Sequence, residues 1–175
     1  MTRRNRWIRP LGIMTIGVIV LARPGWAADQ RAAIRSGFEA QPTPRQAWET
    51  FLEVNRRHVT SAAPGIYDAD AQALLRANSA QAQERLYQLY AGQTPTIRQQ
   101  GDRAAVVFLR DPQHVLAPWF FHRTAAGWQL DGSMYPEVIG YTGSNQWFFK
   151  QRSHAYLFAF HDFTMDQHGF TWPRQ

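Results

Sequence analysis

Residues 104–131, AAVVFLRDPQHVLAPWFFHRTAAGWQLD, form the stretch of sequence that decides the fold. The apolar runs in this stretch are short, rich in β-branched and aromatic residues, and separated by small or polar residues, which is typical of β-strands. We predict that three antiparallel strands follow one another here, at 104–110, 115–123 and 128–131. A further strand is expected upstream at 96–100, because the intervening residues 101–103 (GDR) favour a tight turn.

Upstream of these strands the apolar residues recur at helical spacing. Thr43, Pro44 and Gln46 are typical of a capped helix start, and the helix is expected to reach about His58. Two more helices are predicted, at 68–78 and 79–91. In the second of these we expect three buried side chains, those of Leu86, Leu89 and Tyr90. Helices followed by a run of antiparallel strands predict an α+β protein.

The order of these segments resembles that of the nuclear-transport-factor-like superfamily, which includes ketosteroid isomerase and SnoaL-type proteins. The resemblance rests on a capped helix (TPRQAWETFLEVNRR), a strand (AAVVFLR), an apolar strand ending in charge (PWFFHR), a small-residue turn (TAAG) and a Trp-led strand (WQLD). It covers residues 43–139 and implies N-terminal helices packed on a curved antiparallel sheet, in one cone-like domain with an apolar pocket. No catalytic motif of the superfamily matches here residue by residue, and its members include enzymes, ligand carriers and scaffolds.

The N-terminus is predicted to be a leader. Residues 1–28 have the basic start, the apolar run and the small-residue cleavage site (after Ala27 or Ala28) of a secretory signal peptide. As a helix, the apolar run at 11–22 would span only about 18 Å of a hydrocarbon core that is roughly 30 Å thick. We therefore expect no stable membrane anchor after cleavage, and we expect a periplasmic protein or, alternatively, a secreted one.

One domain is predicted after the leader. Residues 29–42 are expected to be a loose lead-in, and residues 43–175 to be a single α+β domain. The last part of that domain, 141–175, is an aromatic-rich C-terminal extension. We predict a loop at 136–143, where the extension begins, and within the extension a buried strand or a helix at 154–163 and a turn at 166–169.

Composition excludes several classes of protein. The chain of 175 residues has no cysteine, which excludes disulfides, a thiolate nucleophile and cysteine-ligated metal centres. Its formal charge is +6, but five of the 19 basic residues lie in the predicted leader, so 14 basic residues remain against 13 acidic ones. A nearly neutral body has no broad positive field, and we expect no nucleic-acid partner.

A histidine and a carboxylate are predicted to share one face of the hairpin formed by the last two strands. If Arg123 and Trp128 close the turn, His122 lies opposite Gln129 and close to Asp131. A carboxylate orients an imidazole and raises its basicity, so this pair suits proton transfer of the isomerase or dehydratase type. Tyr135 is a candidate polarising donor. A structural hydrogen bond on a half-exposed sheet face is the alternative interpretation.

The opposite face of the same hairpin is apolar, and with the first helix it gives a set of candidate ligand-binding residues, namely Trp48, Trp119, Phe121, Trp128 and Leu130. Such side chains line pockets for small hydrophobic molecules, although they equally suit a core or a protein–protein patch. The favoured function is therefore an exported protein that binds a small hydrophobic molecule or a protein partner without catalysis. The alternatives are a proton-transfer enzyme using the histidine and carboxylate above, and an oligomeric scaffold or accessory subunit, with a homodimer as its simplest form.

Three histidines in the extension recur every seven residues. His154, His161 and His168, with Met165 between the last two, are side chains that bind copper. A continuous strand, however, would send neighbouring members to opposite faces, and tight ligand spacings such as H-E-x-x-H do not occur. We therefore predict no metal and no cofactor.

Overall fold

The computed structural model describes residues 38–59, 65–77 and 79–174, and the predicted leader at 1–28 lies outside the described residues. The architecture is α+β, as predicted. In chain order the elements are α1 (Pro44–Arg56), α2 (Ala69–Ala77), α3 (Ala80–Tyr90), β1 (Thr96–Gln100), β2 (Arg103–Val107), β3 (Trp119–Thr124), β4 (Gly127–Leu130), α4 (Met134–Val138), β5 (Ile139–Tyr141), β6 (Trp147–Phe149), a 3₁₀ helix (Leu157–Phe160), β7 (Phe163–Met165) and β8 (Thr171–Pro173). Among the described residues, no helix is long and apolar enough to cross a membrane.

Each of the first three helices begins at a side-chain cap. The hydroxyl of Thr43 accepts a hydrogen bond from the backbone N–H of Gln46 at 3.2 Å, as predicted for α1. Asp68 accepts from the N–H of Ala71 at the start of α2, and Ser79 caps α3 in the same way. Because these caps satisfy donors that the helix itself leaves free, they set the helix boundaries close to the predicted ones.

The prediction that Leu89 is buried is wrong, since its side chain is 41% exposed. The core-facing side of α3 is set by Gln83, Leu86 and Tyr90, which recur at helical spacing. Leu89 lies off this side of the helix and faces solvent.

The four predicted strands form one antiparallel meander in the order β1-β2-β3-β4. β1 has the predicted bounds, whereas β2 ends at Val107 and β3 begins only at Trp119. A loop separates them, in which the carboxylate of Asp111 accepts a hydrogen bond from the N–H of Leu116 at 2.7 Å. Pro118 cannot donate to a strand ladder, which limits how early β3 can begin.

The sheet has a core on each face because successive side chains of a strand point in opposite directions. One core lies between the sheet and helices α1 and α3, and it includes Val106 and Phe121. The other core includes their chain neighbours Val107 and Phe120. On this second face the sheet is covered by the C-terminal segment, through a set of buried side chains that comprises Val138, Ile139, Trp147, Phe149, Tyr156, Ala159 and Phe160.

The C-terminal segment differs from the prediction at one place. Residues 136–143, expected to be a loop, contain the end of helix α4 and strand β5. For residues 154–163, where a strand or a helix was predicted, the structure has a 3₁₀ helix at Leu157–Phe160, and Tyr156, Ala159 and Phe160 all face the sheet at i, i+3 and i+4 spacing. The turn at 166–169 is confirmed, and it joins β7 to β8.

Two contacts attach the outer segments to the sheet. Arg98 of β1 forms an ion pair with Asp162 and donates to the carbonyl of Ala159 at 2.7 Å, which fixes the end of the 3₁₀ helix. Residues 38–42, the described part of the lead-in, are bound to the edge of the sheet. There Gln41 and Trp128 exchange two backbone hydrogen bonds of 3.1 and 2.7 Å.

Replacing Gly169 with alanine is expected to destabilise the fold by about 2–4 kcal/mol. Gly169 has a φ of 89°, and an added Cβ would lie 2.1 Å from the carbonyl oxygen of Phe149. Gly143→Ala is the matched control, since nothing lies within 4 Å of its Cβ position. Urea unfolding of both variants measures the difference, and equal stabilities would contradict the close approach.

Stability is expected to fall as the pH drops from about 6.5 to 4, because burial next to Phe149 lowers the pKa of His154 to about 4. The unfolded chain binds a proton in this range and the folded chain does not, so stability is complete above pH 6.5. Partial exposure reduces the effect to about 1–2 kcal/mol. In urea unfolding at several pH values, His154→Phe should flatten this slope. His161→Phe, at an exposed histidine, should retain it, and equal slopes for the two variants would contradict the assignment.

Candidate functional site

The hairpin of β3 and β4 has the predicted register. His122 lies opposite Gln129, and Phe121 lies opposite Leu130. The N–H of Asp131 donates to the carbonyl of Phe120 at 2.9 Å, which continues the pairing beyond β4. As a result, Nδ1 of His122 lies 3.6 Å from Oδ2 of Asp131, and the predicted histidine–carboxylate pair is formed.

Three groups fix the carboxylate of Asp131. The hydroxyl of Tyr156 donates to Oδ2 at 2.6 Å, and the hydroxyl of Ser133 donates to Oδ1 at 2.9 Å. The N–H of Met134 also donates to Oδ1, at 3.3 Å. The Asp131 side chain is only 9% exposed, so this carboxylate has a defined orientation towards His122.

A second carboxylate, at the predicted start of helix α2, lies on the other side of the imidazole. Oδ2 of Asp68 is 3.9 Å from Nε2 of His122. Asp68 also accepts hydrogen bonds from the N–H groups of Ala71 and Gly132. An added Cβ at Gly132 would lie 1.9 Å from the backbone nitrogen of Ala71, so the close approach of α2 requires glycine at this position. The resulting group, Asp68, His122 and Asp131, is called the carboxylate–histidine cluster below.

His122 and Asp131 each stabilise the charged form of the other. The contact with Asp131 raises the pKa of His122 above its usual value, although burial opposes the shift. Burial pushes the pKa of Asp131 upward, but His122, Tyr156 and Ser133 outweigh it and hold that pKa at about 2. At neutral pH the cluster therefore contains an ionised Asp131 beside a histidine that binds its proton more tightly than usual.

Tyr135, predicted as a polarising donor, contacts Trp119 and Tyr141. Its ring stacks on Trp119 with 4.5 Å between centroids, and its hydroxyl bonds to that of Tyr141. The tyrosine that reaches Asp131 is Tyr156, which the sequence analysis missed. It lies 25 residues from its partner in sequence, and no short-range spacing indicates the contact.

The five predicted ligand-binding side chains are all buried in the core between the helices and the sheet. Trp48 stacks on Phe51, and Phe51 contacts Trp119 with 4.5 Å between centroids. This set of side chains comprises Trp48, Trp119, Phe121, Trp128 and Leu130. Cavities of about 260, 550 and 240 Å³ in this structure are lined by other residues.

The cavity of about 260 Å³ lies beside the loop that follows β2 and beneath the C-terminal hairpin. Aromatic and aliphatic side chains form most of its wall, including Trp147 and Phe160. Two apolar side chains at this cavity are exposed to solvent, Leu109 by 38% and Trp172 by 45%. We refer to it as the His114 cavity, after the imidazole in its wall.

His114 is the unusual polar group of this cavity. Its residue is only 4% exposed, and neither ring nitrogen has a hydrogen-bond partner among the residues that the structure describes. The edges or faces of Trp147, Phe170 and Trp172 surround the ring, with 4.5 Å between the centroids of His114 and Trp172. Burial lowers the pKa of His114, so the imidazole is neutral and offers one donor and one acceptor.

The three histidines of the extension have separate surroundings. His154 lies against Phe149, whereas His161 and His168 are exposed and contact their own chain neighbours. Among the described residues, the group of three potential ligands that does come together is the carboxylate–histidine cluster.

No protein-family model matches the sequence, and no curated protein or solved structure matches the chain. The geometry of the two sites is therefore the basis for a function.

Tyr156→Phe is expected to destabilise the protein by about 1.5–3 kcal/mol, because it removes a hydrogen bond to a buried charged group. The pKa of Asp131 should rise from about 2 towards its usual value. Chemical denaturation measures the first effect and an NMR titration of the carboxyl carbon measures the second. Tyr141→Phe, at a half-exposed tyrosine, serves as the control. An unchanged pKa of Asp131 in Tyr156→Phe would show that the hydroxyl does not act on this carboxylate.

Proposed function

We propose that the protein binds a small, mainly apolar molecule in the His114 cavity and does not transform it. The observation that carries this proposal is the buried imidazole in the cavity wall, whose two ring nitrogens have no partner among the described residues. A buried polar group without a partner costs about 1–3 kcal/mol. Neither nitrogen is accessible to solvent in this structure, so a ligand would recover that cost when a ring packed on His114, such as that of Trp172, moves aside on binding.

The size and wall of the cavity define the ligand. An apolar cavity of about 150 Å³ accommodates benzene, so about 260 Å³ suits a somewhat larger ring system. The neutral imidazole favours a ligand with a hydroxyl, amide or ring N–H group over a fully charged one. Trp172 and Leu109 are exposed at the cavity, and a bound ligand would cover part of their apolar surface and remove it from water.

We also propose that the protein is exported to the periplasm, because residues 1–28 have the pattern of a leader. We propose further that the domain is related to the nuclear-transport-factor-like superfamily, because its segments follow the same order. A helix layer against an antiparallel meander is compatible with that superfamily. The proposed ligand site, however, differs from the one first predicted, because the aromatic residues between the helices and the sheet fill that space themselves.

Proton transfer by His122 and Asp131 is the second candidate function. Nδ1 of His122 lies 3.6 Å from Oδ2 of Asp131, and the hydroxyl of Tyr156 orients this carboxylate. The three cavities above are lined by neither member of the pair, which is why ligand binding at His114 is favoured.

Native mass spectrometry of the protein purified from its own periplasm is expected to show the chain with the added mass of one small organic molecule. In vitro, isothermal titration calorimetry should show that phenol and indole each bind at one site per chain. His114→Phe retains an aromatic ring but removes both hydrogen-bonding nitrogens, so it should weaken phenol binding about 5- to 20-fold and leave toluene binding unchanged.

His161→Phe, at an exposed histidine outside the cavity, should bind phenol as the parent protein does. Equal affinity of phenol for the parent protein and for His114→Phe would overturn the role of the imidazole. A mass equal to several copies of the chain without added ligand, together with no binding of phenol or indole, would instead favour the oligomeric scaffold.

A further inference from the structure

We propose that Asp68, His122 and Asp131 bind one divalent transition-metal cation. This site is separate from the His114 cavity and does not depend on the function proposed for it. One ligand atom of each residue lies within 4.8 Å of those of the other two, and the three residues come from different parts of the chain.

The electrostatics favour a cation. Asp131 and Asp68 are largely buried, with side chains 9% and 15% exposed, yet they lie on either side of one imidazole. In the part of the chain that the structure describes, the ion pairs of both carboxylates are with His122 alone. Even a protonated histidine leaves this cluster with a net negative charge, which a divalent cation would neutralise.

The imidazole is free to act as a ligand. Its nitrogens lie 3.6 and 3.9 Å from the two carboxylates, beyond the usual hydrogen-bond distance, so neither nitrogen is committed to a short bond. Two ligands of a tetrahedral zinc-sized ion lie about 3.4 Å apart. The three ligand atoms lie within 4.8 Å of one another, so a movement of about an ångström in the half-exposed His122 side chain would close the site.

The carboxylates are oriented by further hydrogen bonds, as metal ligands usually are. Tyr156 and Ser133 hold Asp131, while the N–H groups of Ala71 and Gly132 hold Asp68. These bonds leave lone pairs on both carboxylates, since each oxygen can accept about two bonds.

The donor set indicates the kind of ion. One imidazole nitrogen and two carboxylate oxygens suit zinc, cobalt, nickel or manganese better than calcium or magnesium, which prefer oxygen ligands alone. The His122 side chain is 30% exposed, so water has access to complete the coordination. Three protein ligands and one open position are typical of a zinc site that binds a further small molecule.

The test is a titration of the chelator-treated protein with cobalt(II), followed by visible absorption and by calorimetry with zinc at neutral pH. We expect one ion per chain and visible bands from a nitrogen–oxygen site. His122→Ala should weaken binding at least 100-fold. Tyr156→Phe should weaken it about 10-fold, because it removes a bond that orients Asp131.

His161→Ala is the matched control, since this exposed histidine lies outside the cluster, and it should bind the ion as the parent protein does. Circular dichroism shows whether each variant is folded, which is needed above all for His122→Ala because it leaves two carboxylates without their ion-pair partner. Absence of cobalt bands in the folded parent protein, or equal affinity of the parent and His122→Ala, would overturn the proposal and leave a purely structural ion cluster.

Discussion

The structure depends on the alternation of Phe120 and Phe121 in β3. Both rings are almost fully buried, and because they are neighbours in a strand they point into different cores. Phe121 packs with the helices, whereas Phe120 stacks on Tyr156 with 4.6 Å between centroids. A slip of one residue in the pairing of β3 would exchange these faces and would separate His122 from Asp131. The register of one hairpin thus specifies both cores and the carboxylate–histidine cluster.

The C-terminal segment has a structural role that follows from this arrangement. A four-stranded sheet with an apolar second face needs a cover, and β6 with the 3₁₀ helix provides it. The same segment completes both candidate sites, because Tyr156 orients Asp131 while Trp147 and Trp172 enclose the imidazole of His114. Removal of the segment would therefore expose the sheet, open the His114 cavity and leave Asp131 without the Tyr156 hydroxyl that orients it.

The sequence predicted what depends on periodicity. Period-two alternation was sufficient for β1 and for the register that brings His122 to Asp131, and the helix caps followed from residue type alone. Tyr156 could not be predicted, because its contact depends on the docking of a 3₁₀ helix far away in sequence. His114 could not be assigned either, because it lies in a loop with a φ of 55°, and no repeating pattern specifies such a conformation.

His114 and His122 are eight residues apart, and their surroundings give them opposite chemistry. Aromatic rings surround His114, so burial dominates, its pKa falls and the ring remains a neutral donor and acceptor. Two carboxylates surround His122, so charge attraction exceeds burial and its pKa rises. A neutral organic molecule suits the first environment because it adds no charge to a low-dielectric cavity, and a cation suits the second because it takes the place of the proton. Two histidines in different surroundings therefore support two proposals, which can be tested with different ligands.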